Sequence, residues 1–137
     1  MEVIVPHRTL TQIDYVRITR LLRQQPTPAN AEEIEELLAS SDLVAASAVP
    51  PTLVTMSSHV LLQDPASDTP PFELTLCYPH QAQPGAGLVS VLSPVGQSLL
   101  GLRIGEVARW RVPGGGEREA RILAVLYQPE ASGEELA

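Results

Sequence analysis

Between Leu88 and Gly116 the chain reads LVSVLSPVGQSLLGLRIGEVARWRVPGGG, and nearly every boundary in that stretch has its own chemical mark. Leu88 to Leu92 is a short apolar run of the kind that forms a buried strand. Ser93 is a favoured helix cap, Pro94 suits the first helical position, and Gly101 suits the position just past a helix end. Ala108, Trp110 and Val112 then alternate with Arg109 and Arg111, and Pro113-Gly114-Gly115-Gly116 reads as a hairpin turn. The stretch predicts strand, short helix over Val95 to Leu100, turn, strand and tight turn. Few arrangements other than a small sheet with one helix against it satisfy that order.

The rest of the chain falls into two parts, residues 1–50 and 51–137, divided at Val49-Pro50-Pro51, where a proline pair gives a stiff extended link. The first part reads as a helical hairpin. Thr9-Leu10-Thr11-Gln12 has the capping-box pattern, and the helix it opens carries Ile13, Val16, Ile18, Leu21 and Leu22 before Pro26 and Pro28 stop it. A second helix starts at Asn30 with Glu32 and Glu33 in its first turn, and Ile34, Leu37, Leu38, Ser41 and Ala45 share one face. Arg17, Arg20 and Arg23 on the first helix complement Glu32, Glu33, Glu35 and Glu36 on the second. In the second part, Leu53 to Leu62 reads as one strand or two broken near Ser57-Ser58. Further strands follow at Phe72 to Tyr78, Leu88 to Leu92, around Ala108 to Val112, and Glu119 to Tyr127. Short connections favour antiparallel pairing. The expectation is an α+β fold with a five-stranded antiparallel sheet and one short helix, ending in a frayed acidic tail from Glu130 to Ala137.

Residue chemistry narrows the function by exclusion. Cys77 is the single cysteine, so no intrachain disulfide forms and a reducing cytoplasm fits. All nine basic residues are arginine, which removes P-loop, Schiff-base and lysine-nucleophile chemistry. A formal net charge of −7 argues against nucleic acid as the main partner. The start of the chain lacks the basic, long apolar pattern of a signal peptide, and no apolar run is long enough to span a bilayer. His7, His59 and His80 are scattered, no metal site is expected, and no base stands beside Cys77 to make it catalytic. Trp110 is expected to face inward. Arg109 and Arg111, with Arg103, form a candidate basic patch for an acidic partner surface.

Five segments then resemble one family. They are Val54-Thr55-Met56-Ser57-Ser58-His59-Val60, Ser93-Pro94-Val95-Gly96, Leu99-Leu100-Gly101-Leu102-Arg103-Ile104-Gly105, Val112-Pro113-Gly114-Gly115 and Tyr127-Gln128-Pro129-Glu130-Ala131. Together they resemble the Rnk proteins, regulators of nucleoside diphosphate kinase and relatives of the GreA/GreB transcript-cleavage factors. The resemblance implies an N-terminal antiparallel coiled coil and an FKBP-like second domain that docks on the rim of the RNA polymerase secondary channel. In GreA and GreB, acids at the hairpin tip help hold a catalytic magnesium ion. Here the first helix, Thr11 to Gln25, is about 22 Å long, and the tip Gln25 to Ala29 contains no acid.

The implied function is a polymerase-binding regulator with no catalytic residue and no cofactor. It competes with other channel-binding factors, and its effect on nucleoside diphosphate kinase is indirect. The expected partner-binding residues are Ser93, Pro94, Val95 and Arg103. Two other readings stay open: direct binding of nucleoside diphosphate kinase, and peptidyl-prolyl isomerase activity. The second is weakened by the few aromatics available to line a pocket, Phe72, Tyr78, Trp110 and Tyr127.

Overall fold

Three buried residues, Thr9–Thr11, form strand β1, which lies parallel to β2, Asp42–Val44. A computed structural model describes residues 7–24 and 28–133. Parallel neighbours need a long crossover, and here the crossover is the helical hairpin itself, α1 (Gln12–Arg23) and α2 (Ala31–Ser40). Neither strand is expected from sequence, because three residues are too few to show a period.

The cap of α1 is Thr11, whose hydroxyl accepts the Asp14 backbone N–H at 2.9 Å, so the helix starts two residues later than the capping box at Thr9 predicts. The buried stripe takes only some of the apolar residues of α1. Ile18 is buried and Leu21 and Leu22 pack at the core's edge, but Ile13 and Val16 are exposed. The position one turn before Ile18 on the buried face is Asp14, which is fully buried. Helix α2 buries Ile34, Leu37 and Leu38 as expected. It ends at Ser40 rather than running to Ala45, because the Ser40 and Ser41 hydroxyls donate to the Glu36 and Leu37 carbonyls and the chain then enters β2. Residues 25–27 of the tip lie outside the described residues.

The second part forms one sheet of five strands: β3 (His59–Gln63), β4 (Phe72–Cys77), β5 (Leu88–Ser90), β6 (Val107–Arg111) and β7 (Glu117–Tyr127). Their spatial order is β5-β4-β3-β7-β6. The sheet is mixed, not antiparallel throughout, because β4 and β5 run parallel. Residues 78–87 between them hold two turns of 3-10 helix, Pro79–Gln81 and Pro84–Ala86, and that compact link carries the chain back to start β5 in the same direction. The expected strand from Leu53 begins only at His59. Before it, the Ser58 hydroxyl accepts the Thr55 backbone N–H at 2.9 Å in a turn where Ser57 takes a φ of +69°.

Helix α3, Pro94–Leu99, packs chiefly on β6. Gly96 brings the helix onto the end of β5, since a Cβ there would lie 1.9 Å from the Ser90 carbonyl oxygen. Core residues from both sides of Pro50-Pro51 form a single apolar cluster, in which Ile18, Ile34 and Leu38 join Val60, Leu76, Leu99, Leu100 and Ile122. The segment expected to fray instead turns helical at Pro129–Ser132 (α4), with Gln128 and Pro129 buried; residues 134–137 lie outside the described residues.

Candidate functional site

The two ends of α3 are built differently. At its start the Ser93 hydroxyl donates to the Ser90 carbonyl at 2.6 Å and accepts the Gly96 N–H at 3.1 Å, so both its functions are taken up by capping. Pro94 is exposed beside it, and Val95 is half-buried against the core. At its end the Arg8 guanidinium donates to the carbonyls of Gln97, Ser98 and Leu100 at 3.2, 3.1 and 2.7 Å. These are the unpaired acceptors that every helix terminus leaves, and a cation also suits the negative end of the helix dipole. Burial holds the Arg8 guanidinium below its ordinary pKa, against a contrary pull from Glu106.

Of the expected partner-binding residues, Ser93, Pro94 and Val95 sit together at the start of α3. Arg103 lies past its other end, a helix of about 9 Å away. Arg103 is exposed; its backbone N–H donates to Glu106 Oε1 at 2.7 Å and its guanidinium reaches the Thr9 hydroxyl at 3.3 Å. A groove of about 430 Å³ runs beside Pro94 and Gln97 and is lined by Arg109, Trp110 and Arg111 of β6, with Asn30 and Glu33 of α2 on its other bank. The expected basic patch is offset by acids on the neighbouring strand. Arg109 pairs with Glu119 at 2.8 Å, and Arg111 stands opposite Glu117 in the β6–β7 register. Trp110 is half-buried rather than fully inward, and the Arg118 guanidinium lies 5.8 Å from its ring centre.

A second polar assembly fastens the base of the hairpin, and sequence reading misses it. Asp14 Oδ2 accepts the Met56 N–H at 3.1 Å, and the Thr55 hydroxyl donates to Glu130 Oε1 at 2.7 Å. Gln128 Nε2 donates to the Leu53 carbonyl at 2.7 Å. Burial, reinforced by the Glu130 charge, pushes the Asp14 carboxyl from 3.8 up to about 6, although the Met56 and Thr11 hydrogen bonds oppose the shift. The only sequence signal for this seam is a charged residue at the position one turn before Ile18.

The remaining candidates have structural partners. His7 pairs with Asp42 at 2.6 Å and His59 with Glu73 at 2.7 Å. The Cys77 thiol is buried, donates to the Val89 carbonyl at 3.4 Å and is pushed up by burial, as a structural cysteine is. Among the described residues no three His, Cys, Asp or Glu side chains gather as a metal site, and no helix is long and apolar enough to cross a membrane.

Residues 49–127 match the family of transcription elongation factors GreA/GreB, C-terminal part. The regulator of nucleoside diphosphate kinase of Escherichia coli strain K12 is 34% identical over 134 residues, which is 96% of this chain and 97% of that protein. Transcription elongation factor GreA of Acidiphilium cryptum is 33% identical over 107 residues, 77% of this chain but 66% of that protein. Among solved structures, the prokaryotic transcription elongation factor GreA/GreB from Nitrosomonas europaea has a TM-score of 0.75 at 35% identity, covering 90% of this chain and 100% of that one.

Proposed function

The chain belongs to the GreA/GreB family of transcription elongation factors, and from that premise we propose that it is a non-catalytic regulator that binds RNA polymerase at the rim of the secondary channel. The observation that carries this reading is the hairpin. Helix α1 has 12 residues and α2 has 10, so the arm extends about 18 Å at most. Its base is tied down through Arg8 and Asp14. Such an arm occupies the mouth of a channel without carrying chemistry deep into it.

The tip from Gln25 to Ala29 contains no carboxylate, and a magnesium ion is held by oxygen ligands, carboxylates above all. The residues present therefore do not fit the ion that the cleaving relatives place at that position. On this reading the protein excludes cleavage factors from the channel and does not cleave transcripts, and it works in the cytoplasm, where the polymerase is. The docking surface is the start of α3, Ser93, Pro94 and Val95, with Arg103 beyond its other end. The effect on nucleoside diphosphate kinase, carried over from the name of the Escherichia coli relative, follows indirectly from transcription.

A direct complex with nucleoside diphosphate kinase is the second reading, favoured by the near end-to-end match to that relative. Isomerase activity ranks below both, since Tyr78 and Trp110 line separate cavities. Binding of the purified full chain to core RNA polymerase, with GreA as competitor, tests the proposal. Mutually exclusive binding is the expected result. Absence of binding at physiological salt, with capture of nucleoside diphosphate kinase instead, would replace the first reading by the second.

A further inference from the structure

A second cavity, of about 350 Å³, opens between α1 and the 3-10 turn at Pro79–Gln81, on the flank of the arm and apart from the start of α3. Arg17, Arg20 and Gln24 line it from the helix, and Tyr78, His80 and Gln81 from the turn. None of the lining residues is acidic, although the chain as a whole carries a formal charge of −7. The Tyr78 and His80 rings lie within 14° of parallel with centres 6.4 Å apart, an offset stack that makes a flat ledge. Gln81 Oε1 accepts the Tyr78 backbone N–H at 3.3 Å, which fixes the turn and leaves the Gln81 amide nitrogen as a donor. The Tyr78 hydroxyl is buried and feels the charges of Arg17, Asp14 and Glu130, and Arg20 is exposed.

We propose that this cavity binds a small phosphorylated ring compound of the nucleoside monophosphate class, its phosphate held by Arg20 with Arg17 and its base laid on the Tyr78–His80 ledge. Guanidinium groups match phosphate oxygens in both charge and fork geometry. Tyrosine and histidine rings are ordinary stacking partners for a nucleobase. The volume sits at the low end of small-molecule sites, which suits a mononucleotide. Charge separates this ligand from a nucleic acid strand. A polymer lays many phosphates across a surface that is negative overall, whereas a single phosphate meets Arg17 and Arg20 first, with the Asp14 and Glu130 charges acting more weakly from beyond Tyr78.

Calorimetric titration of the full chain with adenosine and guanosine monophosphates tests the inference, with the unphosphorylated nucleosides, inorganic phosphate and a short single-stranded RNA as comparisons. At least one monophosphate is expected to bind more tightly than its nucleoside and than phosphate alone. Arg20→Ala and His80→Ala are each expected to weaken it about tenfold, the scale of one lost charged hydrogen bond or one lost stack. Both side chains are exposed, so the variants keep the fold, which an unchanged thermal midpoint checks. No heat at millimolar nucleotide, equal binding of nucleoside and monophosphate, binding of RNA alone, or affinity unchanged in both variants would each overturn the assignment. None of these outcomes tests docking at the start of α3, which is a different surface.

Discussion

Asp14 is the group through which pH acts most directly on this fold. It is fully buried, and its carboxyl titrates at about 6 in the fold against an ordinary 3.8. Below 3.8 the group is protonated in both folded and unfolded chains and carries no penalty. Between the two values the folded chain holds a proton that the unfolded chain has lost, so stability falls as pH rises. Above about 6 both states are ionised and the full cost of the buried charge is present, about 3 kcal/mol at 1.36 kcal/mol per unit. Asp14→Asn keeps an oxygen to accept the Met56 N–H and removes the titration. Measured against the native chain by urea unfolding, the variant's relative stability is expected to climb by about 2.5 kcal/mol between pH 4 and pH 8, close to 10 °C in thermal midpoint. Any loss from burying the new amide is the same at every pH and moves the curve without changing its slope. A difference that stays flat from pH 4 to pH 8, or slopes the other way, would refute the reasoning.

Other perturbations follow from the same contacts. Arg8→Met leaves the α3 carbonyls without a donor and is expected to cost about 2–3 kcal/mol in urea unfolding; a cost below about 0.5 kcal/mol would mean that water replaces the cap without penalty. Gly96→Ala drives a methyl group into the Ser90 carbonyl and is expected to destabilise by about 3 kcal/mol or more, since backbone rather than a movable side chain blocks it; a neutral result would show that α3 can lift off β5. Arg103→Glu retains its backbone hydrogen bond to Glu106 and is expected to leave the unfolding midpoint within a degree or two. On the proposed docking surface it weakens polymerase binding about tenfold in a direct titration, and unchanged affinity would remove Arg103 from that surface.

What could be read from the chain alone was what its local chemistry decides. The cap at Ser93, the proline at the first turn of α3 and the glycine at 101, whose φ is +80°, all act within a few residues of where they stand, so helix, turn and following strands are legible. The hairpin turn at Val112 to Gly116 is legible for the same reason. Features fixed by distant partners were not. Thr9–Thr11 becomes a strand only because Asp42–Val44 returns beside it after the whole hairpin. Arg8 looks like a surface cation until α3 is folded against it, some ninety positions away in sequence. Asp14 occupies the buried stripe of α1, which hydrophobic patterning does not find, because it counts apolar residues and passes over a carboxylate paired with a backbone N–H. The parallel β4–β5 pair was missed because the link between them is compact rather than long.

The fastening of the hairpin gives the proposed function a mechanical form. Arg8 binds the end of α3, while the residues assigned to docking, Ser93 to Val95, stand at its start. A helix of 6 residues, with Gly96 pressed on Ser90 at one end and a guanidinium cap at the other, transmits position rather than bending. A partner that seats Pro94 therefore also sets where β1, and with it α1, points. Two properties separate on this view: affinity, carried by the start of α3, and exclusion of competitors, carried by the direction of the arm. Arg8→Met, studied at a temperature where it remains folded, is expected to bind core polymerase within about threefold of the native chain yet displace GreA several times less effectively. Equal losses in binding and displacement would mean that the arm contributes nothing beyond occupancy, and that α3 docks without directing it.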